Sequence, residues 1–161
     1  MKTPAKVGLG GAAILLAGVL VTKWEPGQDR GAPYFDTIGK VWTVCDGHTK
    51  TVNQKHHYSK AECDALRDAD LAEAAAHVNR CIPVPKLPQI EGALTDAAFN
   101  LGPKVVCGST LQKKAMTNDW PGACAELSRW DHAKGRRIPG LTNRRYDDRA
   151  LCEGRQLWGG L

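Results

Sequence analysis

Three residues near the N-terminus have the types and spacing for hydrolytic chemistry. Glu25 directly follows Trp24, Asp36 closes the string Tyr34-Phe35-Asp36, and Thr43 lies in Val41-Trp42-Thr43-Val44-Cys45. A carboxyl beside an indole and a carboxyl in a polar turn can differ in their hold on a proton. Cleavage of a glycosidic bond needs that asymmetry, with one acid protonated and one carboxylate ionised. On residue types alone, a helix-capping Glu25 and a turn-forming Asp36 remain the simpler account.

Other chemistries are poorly supplied. His48, His56, His57, His77 and His132 form no HxxxH, and no CxxC occurs, so a zinc amidase is not expected and no metal or cofactor is implied. No Ser or Cys stands in a nucleophile-elbow context. The net charge of +5 permits an anionic partner but lacks the dense basic clustering of a nucleic-acid binder. Charged residues at 24% and hydrophobic residues at 42% exclude long disorder, and a mean hydropathy of −0.37 excludes a multi-span membrane protein.

The elements that must position these residues begin with a different material. Val7–Thr22 is sixteen residues without a charge, preceded by Lys2 and Lys6. As a helix it reaches about 24 Å, short of a hydrocarbon core of roughly 30 Å. Its glycines and alanines make it only weakly apolar. A cleaved signal peptide, a permanent anchor and a weakly held anchor that later leaves the membrane all fit this segment. Each exports the body, residues 23–161, across the inner membrane with a positive-inside orientation. Removing residues 1–22 lowers the net charge from +5 to +3, since two lysines and no acid are lost.

In the body, Ser59-Lys60-Ala61-Glu62 reads as a capping box before a helix over 61–80, which Pro83 and Pro85 end. Ahead of it, 40–45 and 51–52 suggest a small sheet. After it all segments read helical: 88–101, 109–118, 121–130 and 142–157. The fold expected is α+β with two lobes, a small sheet lobe and a helical lobe joined by the long helix, with an N-terminal apolar anchor helix.

Trp24-Glu25, Tyr34-Phe35-Asp36, Val41-Trp42-Thr43-Val44-Cys45-Asp46-Gly47-His48-Thr49, Phe99-Asn100-Leu101-Gly102, Ser109-Thr110-Leu111, Gly122-Ala123-Cys124 and Gly140-Leu141-Thr142-Asn143-Arg144-Arg145 occur in this order. Over about residues 24–155 the chain resembles the phage-type lysozymes of glycoside hydrolase family 24, and its N-terminal segment resembles that of the signal-anchor-release endolysins. The resemblance implies a catalytic triad of Glu25 as general acid, Asp36 as stabilising or water-orienting carboxylate and Thr43 as water-positioning hydroxyl. It also implies Arg144 as a counter-ion near the acid and Asn100 at the cleft. His48 is expected to pair with Asp70 on the long helix. Glu25 and Asp36 stand eleven positions apart, two more than is usual in that family, and Asp36 and Thr43 seven apart, one more. The extra residues fall in 27–32 and near Lys40, and they leave Asp29 as an outside candidate for the Asp role.

The implied activity is that of a muramidase: hydrolysis of the β-1,4 bond of peptidoglycan during host lysis. The enzyme would be a monomer, tethered to the inner membrane through residues 7–22, weak or inactive while tethered, and then soluble in the periplasm. A lytic transglycosylase, or a non-catalytic membrane-tethered wall-binding protein on a lysozyme fold, are the alternatives. Six cysteines allow fifteen pairings. Joining adjacent elements gives the expectation Cys45–Cys63, Cys81–Cys107 and Cys124–Cys152, in keeping with an oxidising compartment.

Overall fold

The computed structural model describes residues 9–24 and 30–157. Glu25 and Asp29 therefore lie outside the described residues. The elements are α1 (Leu9–Trp24), β1 (Tyr34–Asp36), β2 (Val41–Thr43), α2 (Lys60–Cys81), α3 (Pro88–Leu101), α4 (Thr110–Met116), α5 (Trp120–Glu126), β3 (His132–Ala133), β4 (Arg136–Arg137) and α6 (Pro139–Cys152). The architecture is mixed, with six helices and two small antiparallel ribbons among the described residues.

The long helix forms as its sequence dictates. The Ser59 side chain accepts from the Glu62 amide at 3.2 Å, and the Glu62 carboxylate accepts from the Ser59 amide at 2.7 Å. The Ser59 amide and hydroxyl, with His56, pull the Glu62 carboxyl down to about 2. α3 begins with Pro88 at its first position, where a missing N–H costs nothing, and stops at Gly102, whose φ of 83° a side chain would resist.

Several expectations differ from the structure. The strand expected at 51–52 does not form, because the His48 ring occupies its hydrogen-bonding groups: Nε2 lies 2.8 Å from Thr51 Oγ1 and accepts from the Thr51 amide at 3.2 Å. A second ribbon, β3–β4, stands where only loop was expected, and α5 stops at Glu126 before it. Its turn is Lys134-Gly135, with φ of 51° and 74°, the pair of positive values that tight hairpins favour. α6 also starts earlier than expected, at Pro139, and ends earlier, at Cys152.

The main core lies in the helical lobe, where Val78, Ile82, Leu94, Val105, Val106, Leu111 and Leu127 are fully buried among α2 to α6. A smaller core of Val44, Cys45 and Cys63 holds the ribbon β1–β2 to the start of α2. Three disulfides tie elements together: Cys45–Cys63 joins the end of the ribbon to α2, Cys81–Cys107 joins the end of α2 to the turn after α3, and Cys124–Cys152 joins α5 to α6.

The apolar N-terminal stretch is helical and packs in the helical lobe. Ala13, Ala17, Leu20 and Val21 of α1 are wholly buried, chiefly against α3, with Leu71 of α2 completing the cluster. None of the described helices is long and apolar enough to cross a membrane. The small residues that weaken the segment as a span let it approach α3 closely. At Gly92 an added Cβ would stand 2.9 Å from Leu16 Cβ and 3.1 Å from the Ala13 carbonyl oxygen. Alanine at a mid-helix glycine normally gains about 1 kcal/mol of helix propensity. Here we expect Gly92→Ala to destabilise instead, by about 1–3 kcal/mol, since α1 must shift off α3. Urea unfolding of parent and variant measures it, and a stabilised variant would show that α1 has room to give.

Candidate active site

The ribbon β1–β2 carries two of the expected catalytic side chains. In its antiparallel register Tyr34 pairs with Thr43 and Asp36 with Val41. Directly paired residues share a face, and residues two apart along a strand share it too. Asp36 and Thr43 therefore lie on one face as diagonal neighbours. Phe35 and Trp42 occupy the other face, edge to face with ring centroids 5.8 Å apart. Thr43 is buried, and its Oγ1 donates to the Val41 carbonyl at 3.3 Å. Asp36 is half-buried at the end of β1, and its Oδ1 accepts from the Ile38 amide at 2.8 Å. Gly39 leaves room for that carboxylate, since a Cβ there would stand 2.9 Å from Asp36 Oδ2.

A cavity opens between the small lobe and the helical lobe, lined by Gly47, Lys50, Glu73, His77 and Phe99. Lys50 pairs with Glu73 across it and holds the Glu73 carboxyl below its ordinary range. Gly47 and Phe99 belong to motifs of the sequence, whereas Lys50 and Glu73 had no signal there; the lining comes from the loop after β2, α2 and α3. The turn after Asp36 faces the second ribbon, with Ile38 on one side of a groove and Ala133, Lys134, Arg136 and Ile138 on the other. Asn100 lies in the last turn of α3, next in sequence to Phe99 of the cavity. Its Oδ1 is buried and accepts no hydrogen bond among the described residues.

His48 has a structural place. Its Nδ1 lies 2.7 Å from Asp70 Oδ2 and its ring is buried, so it clamps the loop after β2 to α2.

Arg144 sits in a wholly buried charge cluster between α3 and α6. It donates through Nε and Nη2 to the two oxygens of Asp96 at 3.0 and 2.8 Å. Arg145 Nε lies 2.8 Å from Asp148 Oδ2 and Arg145 Nη2 lies 3.9 Å from Asp96. Burial alone would push the Asp96 carboxyl up, but the Arg144 guanidinium outweighs it and holds Asp96 below the usual carboxylate range. Asp148 goes the other way. Burial pushes its carboxyl well above the ordinary value, the adjoining Asp96 charge adds to the rise, and Arg145 opposes it. One turn along α6 from Arg144, Asp147 receives the end of α1. Trp24 Nε1 donates to Asp147 Oδ2 at 3.0 Å and Lys23 Nζ stands 2.9 Å from the same oxygen. Trp24, the residue before Glu25 in the chain, is thus held at the face of α6 that carries Arg144.

The chain is similar over most of its length to known proteins. The family described as phage lysozyme matches residues 27–148. A SAR-endolysin of Enterobacteria phage P21 is 39% identical over an alignment of 166 positions, covering 99% of this chain and 96% of its own. A SAR-endolysin of Escherichia phage Mu is 41% identical over 119 positions, covering 74% of this chain and 69% of its own. Among solved structures, the active form of the P1 phage endolysin Lyz shares the fold with a TM-score of 0.75 at 21% identity, covering 91% of this chain and 94% of its own. The secreted inactive form of that protein gives a TM-score of 0.58 at 21% identity, covering 89% and 94%.

The buried cluster makes stability depend on pH with a defined sign. A carboxyl lowered in the folded state contributes stability above its unfolded value, lost as pH falls through the folded value. Asp96 therefore makes the fold acid-labile below about pH 4, near the ordinary Asp value. Asp148, raised, acts oppositely above that range: the fold gains stability as pH falls toward its unfolded value. We expect Asp96→Asn to cost about 3–5 kcal/mol at neutral pH, by leaving Arg144 without its counter-charge, and to shrink the loss of stability between pH 4 and 2. Denaturant titrations across pH check both; an unchanged acid limb would sink the assignment.

Proposed function

This chain belongs to the phage lysozyme family, a peptidoglycan-degrading endolysin in kind, and we propose that it is a muramidase hydrolysing the β-1,4 bond between N-acetylmuramic acid and N-acetylglucosamine. Glu25 protonates the leaving sugar oxygen as general acid. Asp36, ionised, faces the oxocarbenium-like state or orients the attacking water, and Thr43 helps position that water. Arg144, which also pairs with Asp96, serves as the counter-ion that orients the acid, and Asn100 lies at the cleft. The observation that carries the reading is the shared face of Asp36 and Thr43 on a ribbon that opposes the helical lobe, with the end of α1 fixed beside Arg144.

Glu25→Gln should lower wall lysis by about 10²–10⁴-fold while leaving wall binding intact, because the amide cannot deliver the proton. Lysis equal to the parent's removes Glu25 from the acid role. Reducing-end analysis of the products separates hydrolysis from the anhydro-sugars of a lytic transglycosylase, and wall binding without any cleavage would mark a non-catalytic protein.

The reading includes regulation by place. Residues 1–22 serve as a weak signal-anchor that carries the body, residues 23–161, into the periplasm. While 7–22 are in the bilayer, α1 is absent from its seat on α3, and Glu25, three residues after Thr22, is held at the headgroups. Release lets α1 dock, and the enzyme then acts as a soluble monomer on the wall. Replacing residues 7–22 with a long, strongly apolar transmembrane helix should abolish lysis that the released parent performs. Equal lysis by both would end the idea.

A further inference from the structure

Segment 25–29 joins two residues that are each held by carboxylates, one in each lobe. Before it, Lys23 and Trp24 both meet Asp147 of α6, whose side chain is wholly buried. After it, Arg30 donates Nε to Asp46 Oδ1 at 2.7 Å, makes a second bond to Asp46, and donates Nη1 to Asp64 at 3.1 Å. Asp46 is buried, and its bonds to Arg30, with those of Asp64, hold the guanidinium more firmly protonated than usual. Trp24 and Arg30, the described residues on either side of 25–29, are therefore each tied to carboxylates, the first in the helical lobe and the second in the small lobe.

A buried carboxylate in the middle of α6 is costly unless it is paired. A cation that pairs it, Lys23, and an indole donor, Trp24, come from the last turn of α1. The stretch from Glu25 to Asp36 is also longer than usual for this family, and a longer connection samples more conformations unless something holds it. The pin nearest Glu25 is one residue away.

We propose that Asp147 is a positioning residue for the acid of the lysozyme reaction: by holding Lys23 and Trp24, it fixes the end of α1, one residue before Glu25 in the chain. The inference rests on Glu25 being that acid. Asp147 does not touch the substrate. It sets where the proton is delivered, and general-acid catalysis is sensitive to displacements of about 1 Å. The Arg30 pins hold the far end of the segment, four or more residues from the acid, and matter less for its placement.

The test uses the full chain in its released, soluble form, with kcat and KM measured on purified walls. Lys23→Met and Asp147→Asn should each lower kcat by about 10–10²-fold while KM moves by less than about threefold, as expected when the loss is of alignment and not of wall binding. Lys23→Arg, which keeps the charge and the reach, should restore most of kcat. The double variant should be no slower than the slower single, since both break one contact. Thermal melts identify variants that fail to fold. Should Asp147→Asn be one of them, Lys23→Met against Lys23→Arg still decides, because the Lys23 side chain is 25% exposed at a helix end. A folded Lys23→Met with parental kcat, or a loss confined to KM, overturns the proposal. Glu25→Gln separates the two ways of failing. If it lyses walls as the parent does, the acid assignment falls and the positioning role with it. If it is inactive while Lys23→Met is not slowed, only the positioning role falls.

Discussion

The close approach of α1 to α3 is the constraint on which the rest of the molecule depends. The two helices meet at Gly92, where no side chain fits, against Ala13, Leu16 and Ala17 of α1. Fully burying Leu20 and Val21 stabilises the docked state by about 1.5–3 kcal/mol each. That contact orients the whole of α1, and its last turn reaches α6. Without it the chain entering the active site would start from no fixed point.

The composition of α1 suits its packing. A helix rich in glycine and alanine is small enough in cross-section to lie close against another helix. Larger apolar residues would not fit against Gly92. Only one face is buried, and Leu15 and Val19 remain exposed on the other. The small residues that leave the segment short of a membrane span are also what fit it to the core.

Charge buried between α3 and α6 plays the complementary part. Asp96, Arg144, Arg145 and Asp148 exclude water and hold the two helices in one register, because a misplaced guanidinium would be left uncompensated in the interior. Asp147 extends this cluster by one turn toward α1. The face of α6 against which the end of α1 packs is thus held by buried charge pairs.

Much of this was legible in the residues. The capping box at Ser59 and Glu62, the prolines that bound α2 and α3, and the pairing of His48 with Asp70 are local or motif-borne, and local hydrogen bonding decides them. The disulfide partners followed from joining neighbouring elements. The β3–β4 ribbon had a signal, Lys134-Gly135, but strands of two residues carry no periodicity to read. What residues could not show is which of them meet across the fold. The sequence by itself determined the element types, the candidate triad of Glu25, Asp36 and Thr43, and the weak apolarity of the first helix. Only the tertiary structure decided that this helix lies on Gly92, that Lys50, Glu73 and His77 share a cavity, and that Asp147 meets Lys23 and Trp24. The residues in that last contact lie more than 120 positions apart, and nothing in a linear pattern brings such residues together; burial and charge pairing in three dimensions do.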